Sequence, residues 1–142
     1  MEKRYIKLIN DIELLDIYLA SAQFKRHAFP DPDTYADVKA SFSAGKSNYK
    51  CSADGLLVEQ QVAFSLEEVS DDRKKSRKLF ELKATYSLLY HSAQPMDAEI
   101  FELFKERNIP INLHPYTREL IHNSMARAGL PAFILPALKI KR

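Results

Sequence analysis

Leu79-Phe80-Glu81-Leu82-Lys83-Ala84-Thr85-Tyr86-Ser87-Leu88-Leu89-Tyr90-His91 alternates with period two, placing Phe80, Leu82, Ala84, Tyr86, Leu88 and Tyr90 on one face. Successive side chains of a strand point to opposite faces, so this stretch reads as a strand with one face against a core. Toward the N-terminus the same period returns three times. Leu57–Glu68 carries Val58, Val62, Phe64 and Leu66 on one face. In residues 35–44, Val38, Ala40, Phe42 and Ala44 oppose Asp37, Lys39, Ser41 and Ser43. From about Ile12 to Arg26 the pattern sets Tyr18, Ala20, Ala22 and Phe24 against Ile17, Leu19, Ser21 and Gln23. Between these strands, Ser70–Lys78 reads as a charged loop and Gly45–Gly55 as a polar, turn-rich connection. His27–Thr34 contains Pro30 and Pro32, which lack the N–H a central strand needs, so it reads as a crossover loop. Residues 2–11 stay open between helix and strand; Tyr5, Leu8, Ile9 and Ile12 would fit one face of a short helix.

Beyond Pro95 the period changes to 3.6. Asp97 is a suitable N-cap, because its carboxylate can accept from the first free N–H groups. Ile100, Leu103 and Phe104 form the apolar side of a helix over about 98–107, which Asn108 and Pro110 end. A second helix covers about 111–128, with Leu113, Tyr116, Leu120, Ile121 and Ser124 near one face and Pro115 in its opening turns. Gly129 fits the left-handed position after a helix, and Pro131 prevents continuation. Strands followed by helices predict an α+β fold: a four-stranded antiparallel sheet with two helices packed on one side. The 142 residues suit a single domain, 1–142: strands over 1–92, helices over 97–128 and a tail over 129–142.

Composition excludes several functions. The 46% hydrophobic content is that of a chain with a core. Lys plus Arg less Asp plus Glu, 21 − 19, leaves +2, too little for binding nucleic acid by charge alone. No apolar run approaches the roughly 18 residues of a membrane span, so no membrane insertion is expected. No secretory signal follows Met1, and the lone Cys51 suits a reducing compartment, so the expected location is cytoplasmic. Three glycines are too few for a nucleotide-binding loop. His27, His91, His114 and His122 have no ligand partners at metal spacing, and no Ser or Cys lies in a nucleophile motif, so neither metal, cofactor nor enzymatic activity is expected. The pairs Glu67-Glu68 and Asp71-Asp72 project to opposite faces and read as solvating a hairpin. The basic run Arg73–Lys78 reads as a solvated loop; phosphate contact, and with it a small α+β nucleic-acid-binding module, is the alternative. Aromatic residues make up 11% of the chain, and Phe29, Tyr35 and Phe133 fall outside regular elements, as an apolar contact surface or a cover for the sheet would place them.

The segment from Leu113 to Leu138 is more specific. It reads Leu113-His114-Pro115-Tyr116-Thr117-Arg118-Glu119-Leu120-Ile121, then Met125-Ala126-Arg127-Ala128-Gly129-Leu130-Pro131, then Ile134-Leu135-Pro136. The Pro-Tyr-x-Arg-Glu helix start, the Arg-x-Gly-x-Pro helix end and the apolar tail with a further proline resemble the second helix and tail of SecB-like chaperones. That resemblance implies an ATP-independent holdase that binds non-native polypeptide in apolar grooves and assembles as a dimer or tetramer. Carried onto this chain, it implies client-binding residues Phe29 and Tyr35 from the crossover loop, Val38, Ala40 and Phe42 from the strand after it, and Leu130, Phe133 and Leu135 from the helix end and tail. Ile100, Leu103 and Phe104 are the expected oligomer interface. The exporting members of the family are strongly acidic and dock on the SecA motor. Here the charge is +2, Lys83 stands where exporters carry an acid, and the chain ends Lys139-Ile140-Lys141-Arg142. SecA is therefore a doubtful partner, and a dedicated client such as an antitoxin fits better than general delivery of preproteins to SecA.

Overall fold

The computed structural model describes residues 2–53 and 55–131. In chain order the elements are α1 (Glu2–Asp11), β1 (Glu13–Arg26), β2 (Asp37–Cys51), β3 (Gly55–Val69), β4 (Ser76–His91), α2 (Ala98–Arg107) and α3 (Ile109–Arg127). The strands form one antiparallel sheet in the order β1-β4-β3-β2. The crossover loop carries the chain from one edge of this sheet to the other. The α+β architecture is as the periodicities indicate, and residues 2–11 resolve as a helix, with Tyr5 and Leu8 buried.

The alternating faces of β3 and β4 meet. Val62 stands across from Ala84, Phe64 from Leu82 and Val58 from Leu88, and all six are buried. The helices lie on that face. The Tyr90 ring packs edge-on against Phe104 at 5.1 Å, and its hydroxyl donates to Asn112 Oδ1 at 2.7 Å. The Tyr86 hydroxyl donates to the Tyr116 carbonyl at 3.2 Å. Burial pushes the Tyr90 phenol far up and the Tyr86 phenol up to about 12, so both stay protonated donors fixing α3 to β4. Asp97 caps α2 by accepting from the Ile100 N–H at 2.9 Å and also pairs with Arg4 of α1. Those two partners, the amide foremost, hold its carboxyl below the usual range. Glu2 pairs with Arg107 at 3.0 Å, closing α1 onto α2.

Both outer strands depart from the sequence pattern, β1 in its faces and β2 in its length. β1 is bulged between Leu14 and Asp16 and again between Leu19 and Ser21. Each extra residue shifts the parity. Ile17, Leu19, Ala22 and Phe24 therefore share the core-side face, across from Leu88, Tyr86, Ala84 and Leu82. β2 does not end at Ala44 but runs to Cys51 through an irregularity between Ala44 and Ser47, after which Ser47, Tyr49 and Cys51 take the core side. Buried Gln60 holds that irregularity, its amide N–H groups donating to the carbonyls of Gln61 at 2.9 Å and Gly45 at 3.3 Å. β4 starts at Ser76, so the charged loop is a tight turn in which Asp72 accepts from the Ser70 hydroxyl at 2.6 Å and the Lys74 N–H at 3.0 Å. α3 starts at Ile109, which puts Pro115 inside the helix and not in its opening turns.

Ile100 and Phe104 are 1% and 0% exposed and belong to the core of this chain, beside Tyr90 and Phe101; Leu103 packs at its margin. Helix periodicity identifies an apolar side but not what covers it, and here the sheet covers it. We expect Phe104→Ala to lower unfolding stability by about 3–5 kcal/mol, as for other buried aromatic truncations. Urea unfolding followed by far-UV circular dichroism checks this, and a loss below about 1 kcal/mol would place Phe104 outside the core.

Candidate functional site: an uncovered sheet edge

β2 is an outer strand, and its core-side residues Val38, Ala40, Phe42 and Ala44 stand across from Glu68, Leu66, Phe64 and Val62. Their partners on β3 are buried, yet Val38 is 58% and Phe42 44% exposed, because the helices cover the inner strands and meet β2 at Tyr49, leaving its first half open. The result is an apolar strip running about 20 Å, from Val38 to Ala44, at a strand rise of roughly 3.3 Å per residue. Near Phe42 it opens into a groove of about 520 Å³ between the sheet and the start of α3, with Val62, Ile109, Pro110, Leu113 and Thr117 in its walls. Gln60, Glu102, Lys105, Glu106 and His114 line it as well, so the groove offers apolar and polar groups side by side.

The other end of the strip meets the crossover loop. Phe29 is 55% exposed, with the Arg26 guanidinium 3.7 Å from its ring centroid. Arg26 Nε also donates to the Ala128 carbonyl at 2.9 Å, so one side chain ties the loop to the end of α3. That end closes as a Schellman turn: Leu130 N–H donates to the Met125 carbonyl at 3.0 Å and Gly129 N–H to the Ala126 carbonyl at 3.1 Å. Gly129 has φ 77°, and a Cβ there would come within 3.4 Å of the Phe29 ring. Tyr35, half-buried, lies with its ring centroid 4.9 Å from the Arg77 guanidinium.

Of the residues indicated by sequence, Val38, Ala40 and Phe42 lie along the β2 edge with Tyr35 just before it, whereas Phe29 sits further back on the crossover loop, between Arg26 of β1 and Gly129 after α3. Leu130 is only 6% exposed and is part of the core, because the Schellman turn folds it back under the helix end. Phe133 and Leu135 lie outside the described residues. Sequence reasoning missed Arg26, Glu68 and Arg77, which hold the loop, and Ile111 and Tyr116, which α3 leaves exposed. Glu68 does not solvate a hairpin: it is buried and paired with Arg77 at 2.8 Å. Parity carried the signal, for Glu68 continues the Val62, Phe64, Leu66 face, and an acid on a core face must find a partner. The basic run is likewise engaged: Arg73 pairs with Asp37 at 2.9 Å, Arg77 with Glu68, and Lys78 with Glu81 at 3.0 Å. Among the described residues, no three His, Cys, Asp or Glu side chains gather as a metal site would require.

The chain has the fold of a SecB-like chaperone. Its structure superimposes on that of the SecB-like chaperone Rv1957 of Mycobacterium tuberculosis, solved in complex with a ChAD peptide from the HigA1 antitoxin Rv1956, with a TM-score of 0.81 over 99% of both chains at 14% identity. A protein of unknown function from Streptococcus agalactiae matches with a TM-score of 0.50 at 12% identity, over 89% of this chain and 98% of that one. No protein-family model matches the sequence, and no curated protein matches it. At such identities the likeness is one of fold.

Gly129 is a sensitive point in the seating of the crossover loop, since a side chain there meets both an unfavourable backbone conformation and the Phe29 ring. Gly129→Ala is expected to lower stability by about 1–2 kcal/mol, the usual left-handed cost, measurable as a shift in the urea midpoint.

Proposed function

We propose that this chain is a holdase chaperone that binds non-native polypeptide, without ATP, along the β2 edge, with a dedicated client such as an antitoxin as its natural ligand. One observation carries this: the apolar row Val38, Ala40 and Phe42 lies uncovered beside a groove in the same fold as a SecB-like chaperone solved with an antitoxin peptide. An unfolded chain offers apolar side chains and free backbone groups. The row buries the first at about 25 cal/mol per Å². As an outer strand, β2 has one side of its backbone free to pair with the second. The groove pairs an apolar lining of Phe42, Val62, Ile109 and Leu113 with polar residues such as Glu102, Lys105 and Thr117, a mixture that suits a polypeptide, and the free Cys51 suits a reducing cytoplasm.

Self-association belongs to the same proposal. Leu15, Tyr18, Leu19 and Phe24 are exposed on β1, the opposite edge of the sheet. An apolar edge strand left bare invites uncontrolled pairing, and a second copy would cover it. We assign the contact to β1 and not to α2, because Ile100 and Phe104 are already enclosed.

Two measurements test these readings. At a stoichiometric ratio the protein should suppress aggregation of a chemically denatured enzyme diluted into buffer without nucleotide. The double variant Val38→Asp, Phe42→Asp should lose at least about tenfold in affinity, given about 1.5–3 kcal/mol for each buried side chain, with its melting temperature kept. Equal suppression by both proteins would refute the β2 site. Light scattering during size exclusion should give a dimer or tetramer, reduced in mass by Leu19→Lys; a wild-type monomer at micromolar concentration would end the oligomer proposal.

A further inference from the structure

The crossover loop carries Phe29 and Tyr35 toward the β2 edge, yet between β1 and β2 it has no regular structure beyond a turn at 32–34. Its start is tied by the His27 N–H, which donates to the Leu79 carbonyl at 2.7 Å, and Thr34 and Tyr35 bond back to Asp31 within the loop. The middle is held by a single carboxylate. Glu68, 2% exposed, accepts from the Asp31 N–H at 2.8 Å through Oε2 and from Arg77 Nε at 3.0 Å through Oε1. Arg77 in turn donates to the Phe29 carbonyl at 2.7 Å and sets its guanidinium by the Tyr35 ring. One ion pair thus reaches the loop at Phe29, Asp31 and Tyr35.

We infer that Glu68 and Arg77 form a clasp that fixes the crossover loop in its client-accepting position, and that both are positioning residues for the polypeptide-binding edge. The chemistry favours one arrangement. A carboxylate this enclosed must keep its partners, because an unpaired buried charge is strongly unfavourable. A guanidinium presents several N–H groups in a fixed plane, so it can satisfy Glu68 and the Phe29 carbonyl together while stacking by Tyr35. An ammonium is a point charge and cannot do all three. Loosening the clasp frees the loop without uncovering the core, since Phe29 and Tyr35 are outside it. Apparent affinity then falls by the fraction of molecules whose loop is in place.

This inference rests on the holdase reading above, and the experiment separates the two. In Arg77→Lys the charge beside Glu68 is kept, so the fold is expected to survive. Hydrogen exchange at the Asp31 amide should speed up at least about tenfold, with β3 and β4 amides unchanged. Reduced, carboxymethylated α-lactalbumin, a permanently unfolded chain, should bind about tenfold more weakly, and in excess it should restore protection at Asp31. Exchange at Asp31 that is the same in Arg77→Lys and wild type overturns the clasp, whatever the protein binds. Released exchange with unchanged affinity overturns its role in binding. A wild-type protein that holds no α-lactalbumin counts against the holdase reading and removes the loop's client role, while the exchange comparison still decides the clasp itself. If Arg77→Lys does not fold, Glu68→Gln, which keeps an acceptor oxygen and removes the charge, takes its place with the same two readouts.

Discussion

Strands of 14 to 16 residues build a sheet about 50 Å long at roughly 3.3 Å per residue. The longest helix, α3, has 19 residues and spans about 28 Å at 1.5 Å each. That mismatch of area governs the rest of the molecule. The helices cover β3 and β4, whose core-side residues are buried almost without exception, and reach the edge strands only in part, at Ile17 of β1 and Tyr49 of β2. On β1 only Ile17 is buried, and on β2 no residue is. The uncovered rows nevertheless contain Phe24, Val38 and Phe42, so apolar surface is exposed by geometry.

Such edges are a hazard unless something controls them. The structure controls each differently. β1 is bulged twice, which twists it and interrupts its regular pairing surface. β2 is flanked by the crossover loop, whose attachments are polar: Arg26 to the end of α3, and Glu68 with Arg77 to the middle of the loop. The aromatic residues therefore stay at the surface while the backbone beside them is fixed. A surface of that kind is ready for an extended apolar chain, and its ordering cost has been met in folding.

Much of this was legible beforehand. Alternation in Leu79–His91 and Leu57–Glu68 located the two central strands, because burial on one face imposes period two wherever the ladder is regular. Asp97, Asn108 and Gly129 marked helix ends for local reasons, namely cap hydrogen bonds and a left-handed φ. The exposed apolar residues Phe29, Val38 and Phe42 were also within reach, since apolar groups in a loop and on a polar-flanked strand stand out. The outer strands were harder. A bulge leaves no distinctive residue in β1, so Ala22 and Phe24 were grouped with Tyr18 and not with Ile17 and Leu19, and the second half of β2, polar and with Gly45 at its start, carries the composition of a turn.

By itself, the sequence determined the order of elements, the faces of the central strands and the helix caps, all of which depend on neighbours a few residues away. Tertiary structure alone decided which apolar face was covered and which was left bare. Ile100 and Phe104 are buried because the sheet lies under α2, while Val38 and Phe42 are exposed because the helices cover the second half of β2, at Tyr49, and leave the first half open. It also decided that Glu68, 37 residues from Asp31, holds the crossover loop. Burial and charge pairing depend on distances through space, and a one-dimensional pattern carries no measure of them.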